Sequence, residues 1–259
     1  MQAYVCVYRR HLPSKADRKR TQEPAKSDAA LSKFLDEYDD SFYDWGDDPA
    51  FFAAQFFMSD VQCATWGVCR RDVRQQLKDG DVVVFFCGKP RVGTRRIWDY
   101  YYIGLGTVKS TVDRRRLWTE ELFTPYRKFY NVLAQLRGKT LIRKETFHPY
   151  HKDWERRAQA PYILFESKPD LTHFNVTNPQ LVGTYDGSHI PETWNKASID
   201  LKNLIFVERG ISRRLRSSQT GFGHTQINLL KSGKVLRPGR NVDELRKALL
   251  RISREIAGA

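Results

Sequence analysis

Residues 82–87, VVVFFC, form an unbroken apolar run directly behind the turn Asp79-Gly80-Asp81. A continuous apolar stretch of this length, entered from a turn, predicts a strand buried on both faces. Other elements must therefore cover both of its sides. Residues 100–108, YYYIGLGTV, are its expected neighbour, and residues 70–77 ahead of it read as a short charged helix. A basic and aromatic loop lies between the two strands. The order helix, Gly-Asp turn, strand, loop, strand over residues 64–109 places aromatic faces, arginines and exposed backbone around the mouth of a small β-barrel. A mouth of that kind suits a nucleobase better than a metal or a bound triphosphate.

The rest of the chain supplies the cover. Residues 3–8 are a β-branched and aromatic run that predicts a first strand, ending at Arg9-Arg10. Residues 11–45 are a charged insertion, and its first half, SKADRKRTQEPAKS, has the composition of a mobile segment. Leu31, Phe34, Leu35 and Tyr38 within it are spaced as one helix face, and two acidic stretches follow at residues 36–40 and 44–48. Residues 50–58 predict a helix entered through Asp48-Pro49, with the aspartate as cap and the proline at the first helical position. Residues 114–136 predict helical segments interrupted near Pro125, while residues 139–147, 162–166 and 204–208 predict strands. A final helix over 241–257 has Asn241 as its cap and Val242, Leu245, Leu249, Ile252 and Ile256 along one face, which is expected to cover the barrel. No repeat or linker divides the chain, so a single α+β domain over 1–259 is expected.

The 259 residues carry 44 Lys and Arg against 30 Asp and Glu, a formal net charge of +14, with 41% hydrophobic content to build a core. Each phosphate neutralised by Lys or Arg releases condensed counterions, so this balance favours a polyanion, nucleic acid first among them. Simple solubility of a basic protein is the plainer reading, and the aromatic content tips the balance towards nucleic acid. Cys6, Cys63, Cys69 and Cys87 lack metal or redox spacing and sit beside apolar residues, which predicts buried thiols in a reducing compartment. The N-terminus lacks the long apolar run of a signal peptide, and no segment approaches the about 20 apolar residues of a membrane span. A cytoplasmic protein without a membrane partner is the expectation.

The arrangement Trp66-Gly67-Val68, Arg70, Val73-Arg74, Leu77, Lys78-Asp79-Gly80-Asp81, Val84-Phe85-Phe86 and Ile103-Gly104-Leu105-Gly106-Thr107-Val108 resembles the PUA-like superfamily. Its EVE, YTH and ASCH domains carry a similar helix, G-D, strand, loop and G-x-x-x-V order. The chain is also similar to the nucleotide-modification-associated domain of the second type, found in bacteria and phages. There an opening strand like residues 4–8 precedes a loop like Asp48-Pro49-Ala50-Phe51, and a G-V-C and a later I-R before G-D resemble Gly67-Val68-Cys69, Val73-Arg74 and Gly80-Asp81. A later F-E-x-K segment resembles Phe165-Glu166-Ser167-Lys168-Pro169. The likeness covers residues 3–110, and 160–210 more loosely, while the 11–45 insertion departs from it. The resemblance implies a PUA-like mixed β-barrel with surrounding helices, which recognises a modified or flipped base or works beside base-modifying enzymes.

A flipped base needs an aromatic face and a few donors, and stacking one base is worth about 1–3 kcal/mol. Trp66, Phe86, Trp98 and Tyr101 are the candidate faces, with Gly67 and Val68 beside the first; analogy with aromatic-cage readers ranks Trp66 first. Phe86 and Tyr101 have an equally plain reading as core residues of their strands. Arg70, Arg71 and Arg74 on the helix, with Lys89, Arg91, Arg95 and Arg96 in the loop, are the candidate phosphate contacts, against a reading as a solvated charged loop. Arg114-Arg115-Arg116 and Arg213, Arg214 and Arg216 extend the basic surface.

The alternative is a metal-dependent nuclease or base-modifying enzyme, in which Glu166 binds a divalent ion and Lys168 orients water, with Asp153 or Glu155 upstream. No second acidic strand residue precedes that pair. A third reading is a protein-interaction module for an acidic partner. His148 and His151, with His173 farther on, are awkward as zinc ligands because Pro149 breaks the helix between the first two. Gly104-x-Gly106 and Gly221-x-Gly223 lack the remainder of a nucleotide fingerprint, although the second pair has His224 and Gln226 close behind it. No cofactor and no metal are expected.

Overall fold

The apolar run behind the Gly-Asp turn becomes a nine-residue strand of a mixed sheet. A computed structural model describes residues 1, 3–9, 49–50, 63–68, 70–90, 97–128, 131–144, 154–174, 179–185, 226–227 and 242–257. Along the chain the elements are β1 (Ala3–Arg9), β2 (Pro49–Ala50), β3 (Thr65–Trp66), α1 (Arg71–Arg74), β4 (Val82–Pro90), β5 (Trp98–Val112) and α2 (Arg116–Thr119). A 3-10 helix (Glu121–Lys128), β6 (Ala134–Arg137), β7 (Thr140–Arg143), α3 (Trp154–Ala158), β8 (Tyr162–Phe165), β9 (His173–Phe174), β10 (Gln180–Tyr185), β11 (Gln226–Ile227) and α4 (Val242–Ala257) follow. The class is α+β, with parallel and antiparallel pairing and few helices among the described residues.

The chain falls into two compact units, one of Met1–His11, Gly80–Thr107 and Lys168–Ala259, the other of Leu12–Asp79 and Val108–Ser167. In the first, β1 lies parallel to β4 in register from Ala3↔Val82 to Arg9↔Gly88, and β11 lies antiparallel on its other side. β5 runs antiparallel to β4 and takes β10 and β9 along its other edge. All of Val82 to Cys87 is buried, as a strand apolar on both faces requires. On one face the Phe86 and Tyr102 rings meet at 5.4 Å, and the Tyr102 hydroxyl pairs with Ser253 Oγ at 2.9 Å, which pins α4. Leu249, Leu250 and Ile252 bury the same helix.

Gly104 explains how β9 docks along β5. It lies opposite Phe85 on β4 and opposite Phe174 on β9, with φ at +141°. A Cβ at this position would strike the His173 carbonyl oxygen and the Phe174 backbone. Without one, the Phe85 and Phe174 rings approach across the glycine, edge to face at 5.8 Å.

In the second unit the end of β5 pairs with β8, β8 with β3 and β3 with β2, all antiparallel. β8 is buried at all four positions. β6 and β7 form a separate two-stranded ribbon closed by Gly138-Lys139, with Gly138 at φ +59°, the glycine-first pattern that matches strand twist in a two-residue turn. The expected 70–77 helix is the single turn of α1. Pro49-Ala50, expected to open a helix, instead pair with Thr65-Trp66 at the end of the strand order, where a proline without a donor is tolerated. The helical stretch expected over 114–136 divides into α2 and the 3-10 helix around Pro125, and its last residues are strand β6, because the Gly138 turn folds them onto β7. The insertion 11–45, residues 51–58, residues 204–208 and Asn241 lie outside the described residues.

Candidate nucleic-acid interface

Trp66-Gly67-Val68 is held inside the second unit. Thr65 and Trp66 pair with Leu164 and Ile163, and Trp66 is 0% exposed. Gly67 tolerates no side chain, since a Cβ would meet the Asn131 carbonyl oxygen and the Tyr162 ring. Beside it lies a closed polar network. The Tyr162 hydroxyl lies 2.8 Å from Thr65 Oγ1 and 2.7 Å from Asn131 Oδ1, and Asn131 Nδ2 donates to Thr65 Oγ1 at 2.9 Å. Burial raises the Tyr162 hydroxyl above the usual phenol range, so it stays protonated and available as a donor.

Arg74 of the helix and Arg114 turn inward as well. Arg74, 0% exposed, donates to the carbonyls of Val68 (3.0 Å), Arg157 (3.0 Å), Ala160 (3.2 Å) and Pro161. Arg114, 2% exposed, donates from Nε to Ala160 O at 3.1 Å and from Nη2 to the Gly67 carbonyl, with its guanidinium 5.3 Å from the Tyr162 ring centre. Among the described residues its Nη1 has no hydrogen-bond partner. Burial pulls Arg114 down to about 10, opposed in part by the Asp113 charge, and it remains a cation at neutral pH. Arg70 is buried and left-handed at φ 55°, a conformation that costs a non-glycine residue roughly 1–2 kcal/mol, while its carbonyl accepts the first α1 hydrogen bonds. Arg71 is half-buried. Within this helix, therefore, Arg74 is an interior clamp rather than a surface cation.

The remaining candidates belong to the first unit. Phe86 is opposite Tyr102 and Cys87 opposite Tyr101, so strand alternation turns Phe86 and Tyr101 to different faces of the sheet. Phe86 is fully buried, whereas Tyr101 is half-exposed with the exposed Leu181 opposite it on β10. Trp98 and Lys89 are strand residues of β5 and β4, with Lys89 opposite Asp99 in the strand register. Arg91, Arg95 and Arg96 lie outside the described residues, as do Arg213, Arg214 and Arg216.

No family model, curated protein or solved structure matches this chain. The assignment of chemistry therefore rests on the residues. Glu166 is half-exposed just past β8, Lys168 is exposed, and Glu155 is exposed on α3. Among the described residues no group of three His, Cys, Asp or Glu is placed to share a metal ion. His173 on β9 is half-buried with Nδ1 unpartnered among the described residues, and burial, then the Arg254 charge, holds it below the ordinary histidine range. Asp153, His148, His151, Cys69 and the Gly221 to Gln226 loop, apart from Gln226 itself, lie outside the described residues. Cys6, Cys63 and Cys87 are buried and form no disulfide. Among the described residues no helix is long and apolar enough to cross a membrane.

Exposed cations are found elsewhere in the second unit, at Arg115, Arg137, Lys139 and Arg143. The signal for three of them was present in AQLRGKTLIRK, residues 134–144, which holds four basic residues and no acid.

Proposed function

We propose that this chain is a nucleic-acid-binding protein of PUA-like, barrel-type architecture that recognises a modified or flipped base. The observation that carries the reading is the net charge of +14. A polyanion neutralises such an excess and releases its own counterions on doing so. The order of helix, Gly-Asp turn and paired strands around α1, β4 and β5 supports the architecture. For the base itself, the half-exposed Tyr101 offers a face, while stacking on Trp66 would require the strands around it to open.

The test is a titration of the full chain with plain and base-modified oligonucleotides across a salt series. Affinity is expected to fall steeply as salt rises, and Tyr101→Ala to weaken the preferred oligonucleotide by about 1–3 kcal/mol without loss of fold. Absence of binding to every oligonucleotide at low salt overturns the reading.

A further inference from the structure

The β6–β7 ribbon concentrates cations without compensating acids. Arg137, Gly138, Lys139 and Thr140 at its tip are all exposed, and so is Arg143 on β7. Among the described residues the side chains of Arg137, Lys139 and Arg143 make no hydrogen bond or ion pair. Arg116 is occupied by Glu120, Arg246 by Asp243 and Arg251 by Glu255. Lys144, the fourth cation of the segment, is drawn inward and donates to the Arg127 carbonyl at 2.6 Å.

A fifth cation is tied to the tip from outside the ribbon. Arg115 Nη1 donates to the Lys139 carbonyl at 2.7 Å, and the remaining guanidinium donors stay available. Asp113, two residues before it, accepts the Arg115 backbone N–H at 2.7 Å. Like charges gathered on one short ribbon repel, so the cluster is relieved by an anion that spans it.

The register decides what kind of anion. Arg137 pairs with Thr140 and Arg143 with Ala134, so these two arginines project from opposite faces of the ribbon. They stand three residue steps apart along it, roughly 10 Å at the usual strand rise. A two-stranded ribbon fits the major groove of B-form DNA, whose phosphates advance about 3.4 Å per nucleotide on each strand. The major groove of an RNA duplex is too deep and narrow for side chains to read. We infer that the β6–β7 ribbon is a groove-entering element for duplex DNA, with Arg137 and Arg143 directed to the two phosphate walls and Lys139 and Arg115 at the tip. This rests on the nucleic-acid reading above and names its duplex contact.

The test compares the parent chain with Arg137→Ala/Lys139→Ala/Arg143→Ala on a short plain DNA duplex, an RNA duplex of the same sequence and the single strand. The parent is expected to favour the DNA duplex. The triple variant should keep its thermal midpoint and lose DNA-duplex affinity, with the salt slope shallower by about 0.9 for each contact removed. Lys139→Glu alone should shift the same slope in the same direction. An unchanged DNA-duplex slope in the triple variant, or a loss confined to RNA or single strand, overturns the ribbon assignment while leaving nucleic-acid binding standing. A parent that binds none of the three, and no base-modified oligonucleotide, at low salt overturns both.

Discussion

The two units enclose their strands by different means. In the first, Val82 to Phe86 on β4, Tyr100 and Tyr102 on β5 and the Leu249 to Ile252 stretch of α4 remove apolar surface from water, each large side chain contributing about 1.5–3 kcal/mol. In the second, the strand β8, with its own Tyr162, is joined by Thr65, Asn131, Arg74 and Arg114, all buried and hydrogen-bonded. Apolar contacts tolerate small changes of shape, because the force between them has no direction. A buried fork of donors tolerates almost none. The difference teaches that arginine and tyrosine in a basic chain are as much building material as binding groups.

The largest effects should come from the enclosed residues of the second unit. Trp66→Ala is expected to cost about 3–5 kcal/mol as a cavity in the strand pair. Arg74→Met should cost a similar amount, about 3–5 kcal/mol, since it removes a buried guanidinium that donates to four carbonyls, whereas Leu105→Met in the first unit should cost under about 1.5 kcal/mol. Native-state hydrogen exchange reads each unit separately. Equal costs for the two methionine variants would erase the contrast.

A finer comparison makes the same change in both units. Tyr162→Phe removes a hydroxyl shared by Thr65 and Asn131 and should cost about 1–3 kcal/mol, while Tyr102→Phe removes one bond to Ser253 and should cost about 0.5–1.5 kcal/mol. If urea denaturation finds Tyr102→Phe the more damaging, the first unit is not held chiefly by apolar burial.

The smallest effect is a pH dependence in the first unit. Burial, then Arg254, keeps His173 below its unfolded value, so the unfolded chain binds this proton more readily. Stability is therefore full above pH about 6.5 and falls as pH drops through the folded value. His173→Gln should flatten that slope in denaturation curves; a slope identical to the parent's would assign the acid sensitivity to other groups.

Periodicity made the first unit legible. The runs at 3–8, 82–87 and 100–108 and the apolar stripe of α4 state where they are buried, and the structure extends β5 beyond the expected ends at both sides. The second unit was less so, for a physical reason. Arg74 and Arg114 look in sequence like surface cations, because residue type gives the number of donors but not the acceptors. Those acceptors, at 157, 160 and 161, lie far along the chain. Gly67 and Asn131 carry no local pattern at all, and their meaning appears only when Tyr162 closes over them. Pro49-Ala50 obeyed a sound helix-start rule and was overruled by strand pairing with Thr65-Trp66.

Arg74 also sets an order of events. Its acceptors Arg157, Ala160 and Pro161 are synthesised 83 to 87 residues after it. A nascent chain that has emerged only through α1 thus carries a charged fork with most of its eventual acceptors still unmade, and it cannot be enclosed without a heavy desolvation penalty. Closure of the second unit waits for residues 157–161, and the long loop this contact shuts makes the step intrinsically slow. During synthesis, β3 and α1 remain open to solvent, chaperone or protease until the ribosome has passed α3.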